Sequence, residues 1–481
     1  MRTTILSTAV FAAGTAFAAP RLDIVYPPAG STLPVGSQTY VIGSVTPPDA
    51  PVTCDGKPVK VYRTGGFLFM YPLRKPGKAV LRFGAGATRR DHAFLVKAEP
   101  QSHPNRITPV SPLHAVGILP DESLQIACDA PAGRKVFAMV GERTVALTPS
   151  VSKPGRYEAA VRFKDGAECV PVLFWSDGLP DAPGGSITAR ASWPVYTVKG
   201  RLFETRTRSL PNDGDTLGFP QPGFTFRSNG FDGESVRARF GTTDQYILRS
   251  SLTPAKKRAK VSAALPDLGA TYPARPAPGK RPRDLLIVVD PGHGGQDTGA
   301  LGPRRKTEKE ANLAQAKLVA QALRDEGFNV CMTRTKDEFV GLYERAKLAY
   351  DKRAAAFVSI HHNATVFSSD PSKARSVATF AWNGRGRVLA DCIQKQIAPV
   401  AAIPDKGVQE KSLAVCRNPA VPSCLLEFDF INCPEGEEAI FNTARQKRFA
   451  AAVAAGVKAW ACRPAEARTP PSPSRQRGTK K

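Results

Sequence analysis

None of the nine cysteines in this 481-residue sequence forms a CxxC pair or a zinc-ribbon spacing, which leaves no cysteine framework for a structural zinc module. Five of them lie between positions 392 and 462, where one or two disulfides are expected in an oxidising compartment, and the odd total leaves at least one thiol over. Long apolar runs are also missing. Only the opening, MRTTILSTAVFAAGTAFAAP, carries one, and it is shorter than the roughly 20 residues a membrane span needs. Gly14 interrupts it, and Ala16-Phe17-Ala18 has the small-x-small form of a cleavage site, so residues 1–18 are read as an export signal. No later stretch is expected to cross a membrane. Acidic residues are scarce beside basic ones, 42 against 67, giving a net charge of +25. Such a charge concentrates a protein on polyanions, which after export are anionic cell-envelope polymers rather than nucleic acid.

Helical periodicity is nearly absent up to about residue 270. Short alternating runs such as TYVIGSV, KPVKVYR, GFLFMYPL and AVLRFGA are separated by Gly, Pro and Asp turns, the pattern of β-sandwiches and small barrels. Two units with a loose common plan, residues 21–100 and 105–198, are expected to be immunoglobulin-like sandwiches on either side of a linker-like EPQSHPNRITPVSP. Residues 199–272 read as a further small β-unit, with an SH3-like barrel as the candidate fold. A Pro-rich linker at 273–283 leads into a different texture, and the last 19 residues, 463–481, form a basic tail without apolar pattern, expected to be disordered.

From 284 to 462 strands and helices alternate. LLIVVD is a continuous apolar run suited to a strand buried on both faces. EANLAQAKLVAQALRDEGFNV has one apolar helical face and a stop at Gly327. FNVCMTR, AAFVSI, SVATFAW, LAVC and CLLEF are expected strands; GLYERAKLAYDKR, RVLADCIQKQI ending at Pro399, and about 437–460 are expected helices. The expected fold of this part is an α/β domain with an open, mostly parallel sheet flanked by helices, whose chemistry lies beyond the carboxyl ends of the strands. The linker implies that this domain acts on soluble substrate by itself.

At the end of LLIVVD stands Asp290-Pro291-Gly292-His293-Gly294-Gly295. The glycines permit a tight turn that projects His293 into the cleft, although a turn histidine without function and a phosphate cradle are alternatives. The run is neither GxGxxG nor followed by Lys-Ser/Thr, which disfavours the phosphate. Glu308, 15 residues on, opens the following helix, where a glutamate ordinarily compensates the helix dipole. His361 and His362 follow AAFVSI. Two imidazoles and a carboxylate with an open fourth position form a ligand set of catalytic zinc, but this spacing alone does not decide it.

DPGHGGQDTGA, EKEANL, TRTKDEFVGLYERAKLA, FVSIHHNA and LLEFDFINCPEGE, in that order, resemble the motifs of the zinc-dependent N-acetylmuramoyl-L-alanine amidases of the amidase 3 family. The resemblance covers about 284–461. It implies one zinc ion held by His293, Glu308 and His361, with Glu427 as the catalytic glutamate, and peptidoglycan as substrate. The cleaved bond would be the amide between N-acetylmuramic acid and L-alanine, in the periplasm or outside the cell. Two departures stand out: His362 occupies a position where the family commonly has a small residue, and Asn432-Cys433 stand where Ser-Asn is frequent. Glu310 and Asn312 are expected on the helix face or behind the ligands, and Arg334 and Arg345 in salt bridges within the fold, with contact to substrate carboxylates as the alternative role. The 66 residues from His361 to Glu427 leave no room for the inhibitory helix of some relatives, so no activator protein is expected to be required. An inactive wall-binding protein and a zinc hydrolase of another amide are the alternative functions.

Overall fold

The computed structural model describes residues 19–462, except 37, 98–104, 152, 201–203, 212–215, 241–242, 257–258, 263–274, 278, 367, 383 and 419. The expected export signal and basic tail lie outside the described residues, as do positions 273, 274 and 278 of the expected linker.

The N-terminal region is built of strands. In its first part a three-stranded sheet, with Thr39–Thr46 between Arg21–Tyr26 and Gly66–Tyr71, and a five-stranded sheet share one core of Leu22, Ile24, Val41, Phe67, Leu81, Phe83 and Phe94. Beyond it, strands from 108 to 248 join a 13-stranded sheet, because Val116–Ile118 pairs with Gly230–Asp232 on one side and Ala182–Ala189 on the other. The expected second and third β-units are thus continuous by hydrogen bonding. Arg237 reinforces the junction with two bonds of 2.5 and 2.6 Å to Glu122. Among the described residues Val195–Val198, at the end of the expected second unit, pairs with Thr225–Arg227 and Leu252–Pro254 of the third.

The C-terminal region is an α/β domain. Its sheet runs in the order Asn329–Met332, Leu286–Pro291, Ala356–Asn363, Ser423–Phe430, Val377–Ala381, Asp405–Glu410. Every neighbouring pair is parallel except Val377–Ala381 against Ser423–Phe430. Ile287, Val288 and Val289 are wholly buried, as the continuous apolar run requires. One face of the sheet packs on α1 (Glu308–Asp325), α3 (Gly384–Ala401) and α5 (Thr443–Cys462), through Val319, Leu323, Ile393, Val453 and Trp460. The other is covered by Ala349 of α2 (Leu342–Asp351) and by Val415, Cys416 and Val421. Burying each aliphatic side chain contributes roughly 1.5 to 3 kcal/mol.

Several elements differ from expectation. LAVC is a turn whose Val415 and Cys416 plug the sheet face over α2; its apolar character comes from that packing, not from a ladder. The strand instead is Asp405–Glu410, polar because it is an edge strand with exposed side chains. The helix before it continues through Pro399 to Ala401, the missing N–H falling in its last turn. The last expected helix is two, α4 (Pro434–Ile440) and α5, and Asn442 starts the second by accepting from the Arg445 amide at 2.9 Å. None of the nine cysteines is joined in a disulfide, so the pairings expected between 392 and 462 are not present.

Candidate metal centre

The strand Leu286–Pro291 delivers the glycine turn to the carboxyl edge of the sheet, and two buried arginines fix it there. Arg345 pairs with Asp290 at 2.7 Å and donates to the carbonyls of Pro291 and His293 at 2.7 and 2.8 Å. Arg334 donates to the carbonyls of Pro291, Gly292 and Lys309 at 2.9 to 3.0 Å. Of the two expected salt bridges only that of Arg345 forms among the described residues; Arg334 serves as a clamp on backbone oxygens. His293 itself has φ +60°, a left-handed conformation uncommon for a side chain of this size. The glycines around it supply space as well as freedom. A Cβ on Gly292 would lie 2.1 Å from His361 Nε2, and one on Gly299 would lie 2.6 Å from Glu308 Oε2 and 2.7 Å from the His293 ring.

Into that space three side chains converge. His293 Nε2 lies 3.1 Å from Glu308 Oε2, and His361 Nδ1 lies 2.9 Å from Glu308 Oε1. The imidazole centroids are 4.9 Å apart, and candidate ligand atoms of all three residues fall within 4.8 Å of one another. Glu308 is the first residue of α1, after the N-cap Thr307 that forms a capping box with Glu310. It is only 5% exposed, and its carboxylate also accepts from the amides of Ala300 and His362 and from the Asn312 side chain, at 3.0, 3.3 and 3.2 Å. Burial works against its charge, but the two imidazoles outweigh it and hold the carboxyl well below the usual range. Burial likewise pulls the His293 imidazole down; Glu308 and Asp297 outweigh it and push its pKa up to about 9. Asp297 bonds His293 Nδ1 at 2.8 Å, which fixes the ring's orientation and leaves Nε2 for the cluster. The donor set, its preformed charge and this supporting bond fit a divalent cation such as zinc.

His361 and His362 lie within the strand Ala356–Asn363 rather than past its end, and strand alternation sends them to opposite faces. His361 joins Glu308. His362 is turned to the helical side, where Nδ1 bonds Asn312 Oδ1 at 2.8 Å and the ring sits 5.9 Å from that of Phe428. Burial brings its pKa down to about 3, so it is a neutral packed imidazole outside the cluster. Glu427 stands in the neighbouring strand directly opposite His361. Its Oε2 is buried without a hydrogen-bond partner among the described residues. Burial first, then the charge of Glu308, holds this carboxyl well above the usual carboxylate range, with Lys411 opposing.

Residues 287–459 match the family model described as N-acetylmuramoyl-L-alanine amidase. AmiA of Escherichia coli strain K12, an N-acetylmuramoyl-L-alanine amidase, is 32% identical, with 38% of this chain and 77% of AmiA covered. AmiA of Salmonella typhimurium is 30% identical, covering 38% and 78%. This chain belongs to the N-acetylmuramoyl-L-alanine amidase family. A solved amidase of that name from Clostridium difficile 630 is 31% identical and covers 37% of this chain and 96% of its own, with a TM-score of 0.35. The family match lies wholly within the α/β domain; the β-rich region stands outside it.

Within the family domain, Asp297 escaped the sequence reading. The signal was present: an acid four residues after His293 in a glycine turn is close enough to reach the same ring. The clamping of the turn by Arg334 and Arg345 carried no such signal, because both reach it from segments more than 40 residues away.

Proposed function

We propose that the protein is an exported, zinc-dependent peptidoglycan amidase that hydrolyses the bond between the lactyl group of N-acetylmuramic acid and the L-alanine of the stem peptide. The observation that carries this is the convergence of His293, Glu308 and His361 beside Glu427 in a domain of this family. His293, Glu308 and His361 would hold the ion. Zinc supplies Lewis acidity toward the scissile carbonyl and makes water a better nucleophile near neutral pH. Glu427 takes the proton of the attacking water as the new C–O bond forms, and returns it to the alanine nitrogen as the C–N bond breaks. Its pKa, raised by burial and by the charge of Glu308, makes the carboxylate a stronger acceptor for the first of these transfers.

Arg334 and Arg345 keep the glycine turn in place, so the His293 ring is oriented before substrate arrives. The net charge of +25 supports attraction of the chain to anionic envelope polymers, with the β-rich region contributing to attachment. Incubating the zinc-loaded chain with defined muropeptides and weighing the products tests the function. Release of a peptide with a free L-alanine amine supports it; an intact muropeptide, or cleavage at another bond, contradicts it.

A further inference from the structure

The sheet of Arg21–Tyr26, Thr39–Thr46 and Gly66–Tyr71 is buried on both faces. One face forms the first β-unit's own core. The other presents Val25, Tyr40, Ile42 and Leu68, none more than 8% exposed. A β-unit merely tethered to its neighbour would leave this second face in water, and four such side chains in one patch mark a contact surface. The α/β domain covers it. Leu301 packs into the patch, and Gly66 lies so near Pro303 and Pro434 that a Cβ there would be 3.3 Å from each ring. Around the rim Arg305 donates to Asp23 at 3.1 Å and to the Ile24 carbonyl at 3.3 Å, and Arg63 pairs with Glu438. Gln38, just before the central strand, donates to the Ser368 carbonyl at 3.5 Å.

These contacts fall on the segments that carry the metal cluster. Leu301 bridges to Thr307, the cap of the helix that begins with Glu308, and the adjoining Ala300 amide bonds the Glu308 carboxylate at 3.0 Å. Arg304 ties the same turn to the wholly buried Glu437 of α4, through bonds of 3.0 and 2.7 Å. Asn432, five residues after Glu427, bonds Thr365, four residues after His361, at 2.9 Å. One β-unit therefore rests on the approach to Glu308 and on the exits from His361 and Glu427.

We infer that the first β-unit is a fixed wall of the catalytic unit, and that Leu301, seated in its outer apolar face, is a positioning residue for Glu308. This rests on the proposal that Glu308 holds zinc. It runs against the expectation, drawn from the Pro-rich linker, that residues 284–462 act alone. Docking stabilises the 301–307 turn, and the turn sets the start of α1; a loosened contact lets Glu308 drift from the two imidazoles.

The test uses the full chain with Leu301→Glu, which places a charge in the apolar patch, and Leu301→Met, which fills it. Zinc affinity by chelator competition, and hydrogen exchange over residues 298–310, are the readouts. Leu301→Glu is expected to speed exchange there and to weaken zinc binding at least about tenfold, the loss typical of disturbed ligand support. Turnover of soluble muropeptide should fall at limiting zinc and recover at saturating zinc with KM unchanged, and Leu301→Met should match wild type throughout. Unchanged zinc affinity in Leu301→Glu, with or without faster exchange, overturns the inference. If that variant does not fold, Asp23→Arg replaces it: weaker zinc binding, restored by adding Arg305→Asp, supports the inference, and wild-type affinity overturns it. Because the zinc readout needs no substrate, a wild-type chain that binds zinc but cleaves no muropeptide defeats the amidase proposal while leaving this one decided on its own.

Discussion

His361 and Glu427 face each other across adjacent parallel strands, at the carboxyl edge of the sheet. The pair closes a regular ladder that starts at Phe357 and Ser423, just before the register shifts toward Asn363, so the proposed ligand and the proposed proton carrier sit on strands rather than on a loop. Glu427→Gln should therefore leave zinc content at wild-type level and lower turnover by about 10²- to 10⁴-fold, because the amide cannot accept the proton. His293→Ala should lose both metal and activity. Zinc content by elemental analysis, beside muropeptide turnover, separates the two; a Glu427→Gln variant with near wild-type turnover would assign the carboxylate a structural role.

Gly292 offers a steric test. Its backbone needs no left-handed conformation, so alanine is tolerated by the chain, but the new methyl would meet the His361 ring at 2.1 Å. Gly292→Ala is expected to fold with a melting temperature close to wild type and to bind zinc much more weakly. Wild-type zinc affinity in this variant would mean that His361 is not a ligand in its present position.

The strand-by-strand reading of the sequence located most of this architecture because buried parallel strands are continuous apolar runs, as in LLIVVD and AAFVSI. It failed where local pattern and tertiary role part company. Val415 and Cys416 look like strand residues yet pack as a plug, and Asp405–Glu410 is a strand with the composition of a loop. The positions of His293, Glu308 and His361 were legible from motif order. The strand alternation that turns His362 away became visible only once the strand was seen to extend to Asn363. The outer face of Thr39–Thr46 was least legible: TYVIGSVT is buried almost throughout, and nothing in a single β-unit explains why.

Zinc binding should depend on pH in a definite direction. In the metal-free protein the His293 pKa, raised to about 9, lies above its unfolded value near 6.5. The stabilisation from that proton is complete below about pH 6.5 and is lost as pH rises through 9. Zinc must displace the same proton, so its apparent affinity should climb by up to about tenfold per pH unit as pH rises toward 9 and level off above it. Chelator competition from pH 6 to 10 (roughly the range spanning both values) checks this; an affinity flat across the range would show that His293 carries no proton to displace.

Activity should need no activator. Among the described residues between His361 and Glu427 the one α-helix is α3, and it packs with α5 in the core on the sheet face away from His361. The purified chain with zinc is expected to turn over muropeptide at a rate that envelope extract does not raise. Activity that appears only after the extract is added would contradict this.

Whether these strand ends assemble one metal site is tested most directly by anomalous diffraction at the zinc edge from crystals of the zinc-loaded full chain. The expected result is a single peak bonded to His293 Nε2, a carboxylate oxygen of Glu308 and a ring nitrogen of His361 at about 2.0 to 2.2 Å, with Glu427 beside it and unbonded. A peak elsewhere, or one bound by His362 or Glu427 in place of these residues, would contradict the site.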